Sequence, residues 1–73
     1  MGRTERLKLR SVPKLFDVVE LLSDRAKAGL NAGAVGTIVE ELNHEAYLVE
    51  FADGEGKAVA IEVLKSAEFA IRL

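Results

Sequence analysis

Three groups of residues in this 73-residue sequence have types and spacings that invite chemistry. They are the glycines of Gly29-Leu-Asn-Ala-Gly33-Ala-Val-Gly36, the single histidine His44, and the carboxylates Glu40, Glu41, Glu45, Glu50 and Asp53. A glycine-rich loop cradles phosphate when it follows a strand and opens a helix, so that free N–H groups face the anion. Here the glycines run into Thr37-Ile-Val39, which is β-branched and strand-forming, and no Gly-Lys-Ser/Thr follows. The structural use is therefore preferred. Gly29 and Gly33 supply turns with positive φ, and Gly36 supplies a bulge or sharp coil where a strand begins.

One histidine cannot pair with another to hold a metal or relay protons, and His44 falls in a turn-forming Asn-His-Glu stretch. The chain has no cysteine, so thiolate nucleophiles, cysteine metal sites and disulfides are excluded. Ser11, Ser23 and Ser66 lie in no nucleophile motif. The sequence predicts no catalytic residue, no metal and no cofactor. A non-enzymatic protein is expected.

Charge is unevenly spread. Residues 1–14 carry Arg3, Arg6, Lys8, Arg10 and Lys14 against Glu5, a net +4, while residues 15–73 carry −6, giving the chain −2. An acidic body repels a phosphate backbone, so nucleic acid is disfavoured as a partner and would meet only the basic leader. The absence of cysteine favours a reducing, cytoplasmic setting. The leader lacks the apolar run of a signal peptide, and no stretch has the length of a membrane span.

The elements that must position these residues follow from periodicity. Leu15, Val18, Val19, Leu22 and Ala26 have helical spacing, with Gly29 placed as a C-cap, but they also suit a short strand followed by a polar loop. Residues 34–42, 46–53 and 57–64 read as strands, joined by an Asn43 turn tolerant of positive φ and by the hairpin signal Asp53-Gly-Glu-Gly56. Alternation puts Tyr47, Val49 and Phe51 on one face, and Val59, Ile61 and Val63 are expected to join them in one core. Ser66 is placed to cap a single turn before a last strand at residues 70–73. The expected fold is all-β: a small five-stranded SH3-like barrel over residues 14–73, with a short single-turn helix before the last strand. A basic leader precedes it at residues 1–13.

The ordered series Asp17-Val-Val, Gly29 through Gly36-Thr-Ile-Val-Glu40 and Tyr47-Leu-Val-Glu-Phe51 before Asp53-Gly54 resembles a bacterial family of small uncharacterised proteins. That family is a domain of unknown function with an SH3-like barrel. The resemblance spans about residues 14–73 and favours the strand reading of the first segment over the helix. An acidic residue usual in the family is replaced here by Ala34. The glycine-containing strand is also similar to KOW-type barrels, which implies contact with RNA or protein. With the acidic body, protein is the expected partner.

The expected function is that of an interaction module, with Arg3, Arg6, Lys8, Arg10, Glu40, Glu41 and Glu50 as candidate partner-binding residues. The alternatives are a regulatory or antitoxin-like subunit of an enzyme, or a weak KOW-like nucleic-acid binder. Leu7 and Leu9 alternate with Lys8 and Arg10, so the leader is a candidate edge strand through which a homo-oligomer would form.

Overall fold

A computed structural model describes residues 12–43 and 45–72. Its elements are five strands and two single 3-10 turns. The strands are β1 (Val18–Leu21), β2 (Val35–Glu41), β3 (Ala46–Ala52), β4 (Ala58–Lys65) and β5 (Phe69–Ile71). They form one antiparallel sheet in the order β4-β3-β2-β1-β5. The first four follow the chain as a meander; the fifth crosses back to β1, setting Leu21 opposite Phe69 and Val19 opposite Ile71. The all-β, five-stranded expectation holds, and so does the single turn before the last strand, at Ser66–Glu68. Residues 1–11 of the leader and His44 lie outside the described residues, and with them the expectation of an edge strand at Leu7 and Leu9.

Local chemistry explains the connections. Asn43 works through its side chain: its Oδ1 accepts the N–H groups of Glu45 and Ala46 at 2.8 and 3.0 Å. The turn does not draw on its tolerance of positive φ; Phe16 alone among the described non-glycine residues has one. Asp53 does the same between β3 and β4, accepting from Glu55 and Lys57, and Gly56 takes φ 86°. Ser66 is not the cap of the last turn. Lys65 holds that position, and the Glu68 carboxylate reaches back to its N–H at 2.7 Å.

The first segment is a strand because its apolar residues complete a sheet. Val19 and Leu21 point inward and pair across β1 with β2 and β5, leaving Val18 and Leu22 exposed. The helical spacing had counted residues from both faces. Gly29 and Gly33 adopt φ 73° and 93°, as the turn reading required, and they fold the loop so that Leu30 enters the core.

Gly36 serves a different purpose from the one expected. It lies inside β2, between Val19 and Phe51, and the register irregularity of this strand falls later, between Ile38 and Glu40. A Cβ at Gly36 would stand 2.8 Å from Val49 Cγ1 and 2.9 Å from both the Glu50 carbonyl and Phe51 Cδ2. The glycine lets neighbouring strands and their core side chains close up.

The core comprises Val19, Leu21, Leu30, Ile38, Tyr47, Val49, Phe51, Leu64 and Phe69. Tyr47 and Phe69 meet edge to face, with ring centroids 5.7 Å apart. Val59, Ile61 and Val63 are not in it: they are 54, 55 and 52% exposed. Register explains this correction. Ala52 lies opposite Ala58, but Phe51 lies opposite Ala60, so β4 carries one extra residue. Beyond that point Val49 faces Glu62 and Tyr47 faces Leu64. A one-residue bulge exchanges the two faces of a strand, and here it sends the valine–isoleucine set outward.

Two stability measurements check this packing. Gly36→Ala is expected to lose roughly 1–3 kcal/mol in urea unfolding, because its methyl meets backbone as well as side chains. Val49→Ala is expected to cost roughly 2–4 kcal/mol, the range of large-to-small core changes, while Ile61→Ala stays within about 0.5 kcal/mol of the parent. Equal losses at positions 49 and 61 would contradict the register.

Candidate functional site

The bulge builds a surface. Beyond it, successive β4 side chains alternate between the core and the outer face of the sheet, and the outer set ends as Val59, Ile61 and Val63. Across the ladder, Ile61 stands opposite Glu50, which stands opposite Thr37, and Val63 stands opposite Leu48, which stands opposite Glu40. The result is an apolar row on the outermost strand, with half-buried Leu48 and two carboxylates beside it.

The predicted site residues separate accordingly. Glu40 and Glu50 share this outer face, the first exposed and the second half-buried. Glu41 does not join them. It lies opposite Tyr47, and its Oε2 accepts the Leu15 N–H at 3.1 Å. Arg3, Arg6, Lys8 and Arg10 fall outside the described residues. Val59, Ile61 and Val63, which dominate the surface, had been assigned to the core. The signal available in the sequence was Leu64, one residue out of phase with them.

The edge of β4 is partly closed by an ion-pair cluster. Arg25, in the loop after β1, donates from Nη1 to Glu68 at 3.0 Å and from Nη2 to Glu62 at 3.3 Å. Its Nη2 also lies 3.4 Å from the Val63 carbonyl. That carbonyl therefore points away from β3, toward the open side of the sheet. In an antiparallel strand such groups recur at every second residue, so the N–H and C=O of Ile61 point the same way. Among the described residues, neither has a partner there. The loop presents Arg25 because Arg25 and Leu30 bridge to each other through both backbone hydrogen bonds, at 2.8 and 3.1 Å. All three charged side chains are partly shielded from water, which strengthens the cluster over an open surface pair.

Among the described residues, no three histidine, aspartate or glutamate side chains converge on a metal position. A depression of about 290 Å3 is lined by Asp24, Arg25, Lys27 and Glu62; Arg25 pairs with Glu62, and Asp24 Oδ1 accepts the Ala32 N–H. No described helix is long and apolar enough to cross a membrane.

Residues 15–71 match the family model described as Domain of unknown function (DUF4926). No curated protein and no solved structure gives a significant match.

The cluster yields one prediction. Arg25→Met keeps the aliphatic stem but leaves Glu62 and Glu68 as neighbouring like charges, so stability is expected to fall by about 1 kcal/mol. The loss should shrink in 1 M salt, measured by the urea midpoint, because screening weakens both the lost attraction and the new repulsion.

Proposed function

The chain belongs to the DUF4926 family, and we propose that it acts as a non-enzymatic, SH3-like interaction module that binds another protein through the outer face of β4. The single observation carrying this reading is the row Val59, Ile61 and Val63, each more than half exposed beside a core that is complete without them. β-Branched residues on an edge strand are a liability to a protein that works alone, since they invite association. Retained on the surface, they offer a partner apolar area, and the outward backbone groups of Ile61 offer it hydrogen bonds.

A meander closed by a fifth strand against the first suits an SH3-like architecture, in which a small sheet displays edges and loops to partners. The partner is taken to be protein because the body carries −6 and the site has Glu40 and Glu50 at its border, a poor match for a phosphate backbone. The cysteine-free composition suits work in the cytoplasm. A subunit that steadies or regulates an enzyme would use the same surface.

Ile61→Lys tests this directly, since the exposed position tolerates the change without loss of fold. Tagged parent protein, isolated from its native host, is expected to carry one protein in near-stoichiometric amount. Ile61→Lys, with an unchanged circular dichroism spectrum, is expected to lose it. Parent and variant both migrating as free monomers in fresh extract would overturn the reading, as would recovery of RNA in place of protein.

A further inference from the structure

A second exposed apolar area lies away from the β4 row, where the described chain begins. Val12, Leu15, Phe16 and Leu42 are all exposed, and Phe16 at 69% is the most exposed large hydrophobic residue described. Its backbone is also unusual, with φ 70°, a left-handed conformation that bulky side chains rarely adopt.

Hydrogen bonds from backbone and carboxylates hold the turn there. Asp17 Oδ2 accepts from the Lys14 N–H at 2.9 Å, and Asp17 N–H donates to the Lys14 carbonyl at 3.0 Å. Glu41 Oε2 accepts from the Leu15 N–H, and the Phe16 N–H donates to the Ile38 carbonyl at 2.8 Å. The ring is thus fixed outward by anchors on both sides of it, rather than left on a loose loop. Asp17 and Glu41 bond to the backbone next to the ring, so carboxylates border it.

We propose that this corner, with Leu15 and Phe16 at its centre and Asp17 and Glu41 at its rim, binds the chain's own basic stretch Arg3–Arg10 in a self-docking contact. The charges are complementary: the stretch contributes Arg3, Arg6, Lys8 and Arg10 against the single acid Glu5. Its leucines, Leu7 and Leu9, match the apolar centre, and a guanidinium suits an exposed phenyl face. Reach is also satisfied. Val12 and Pro13 line a depression of about 390 Å3 with Glu41, Asn43 and Tyr47, so the stretch enters beside its binding place. Eight extended residues span at most about 26–29 Å, ample for the corner. Attachment raises the local concentration to the order of millimolar, so a weak contact is populated in the same chain before it forms between chains.

The absence of cysteine permits a clean test. A nitroxide is attached to full-length Thr4→Cys protein, and paramagnetic broadening is read at the amides of Leu15, Glu41 and Leu42. Broadening is expected to fall at least twofold when Arg6, Lys8 and Arg10 are all changed to Glu, and likewise in 0.5 M salt, with circular dichroism unchanged. Phe16→Ser in the labelled chain should produce a similar fall at Leu42. A second sample mixes labelled, unenriched chains with unlabelled, isotope-enriched chains, and no broadening is expected in it. Broadening in the single-chain sample that ignores both charge reversal and salt would reduce the effect to simple attachment and overturn the proposal. Broadening confined to the mixed sample would overturn it as well, by placing the contact between copies.

Discussion

One additional residue in β4, at the point where Ala58 and Ala60 face Ala52 and Phe51, sets the orientation of every side chain beyond it. A strand has only two faces, so an insertion of one residue leaves no intermediate outcome. Leu64 goes to the core opposite Tyr47, and Ile61 goes to the outer face opposite Glu50. The same step brings a carboxylate, Glu62, to the inner side opposite Val49. An inward carboxylate needs a partner, and Arg25 supplies it from a loop that also steadies Glu68 and the Val63 carbonyl. The loop in turn depends on left-handed glycines and on Leu30, which ties it to the core. Surface row and ion cluster are consequences of one register.

The sheet is kept together by its least local pairing. β5 has three residues, yet it sets Phe69 against Leu21 and brings its ring edge-on to Tyr47. Ends of the chain far apart in sequence thereby share one core, an arrangement suited to a protein too short to bury much surface by local contacts. Gly36 makes its own contribution by omission. Without a side chain there, β2 and β3 approach closely enough for Val49 and Phe51 to pack over it.

Among the described residues nine form the core on one side of the sheet, while Val59, Ile61 and Val63 stand exposed on the other. The function proposed follows from that asymmetry. β4 has the exposed row and the outward backbone groups of Ile61, while the bulge at one end and Arg25 near the other limit how far a neighbour can pair along it. Such restriction favours a particular partner over indiscriminate sheet extension.

Turn chemistry and strand pattern were legible in the residues themselves. Asp53 and Gly56 dictate a hairpin, Gly29 and Gly33 take positive φ, and alternation in residues 46–52 correctly places Tyr47, Val49 and Phe51 inside. These are local properties, fixed by steric limits and by side chains bonding to nearby backbone. The first segment was ambiguous on spacing alone, because helix and strand readings draw on the same valines and leucines; its pairing with both β2 and β5 decided the matter. The face of β4 was likewise beyond local reading. Val59, Ile61 and Val63 are more apolar than Ala60 and Glu62, and hydrophobicity by itself would bury them. The bulge depends on how two strands fit across the ladder, and the cost of an inward Glu62 is offset by Arg25, 37 residues away. Sequence determined where the later strands turn; tertiary structure decided that the first segment is a strand and which face of the last long strand meets water, because register and charge pairing belong to contacts between distant segments.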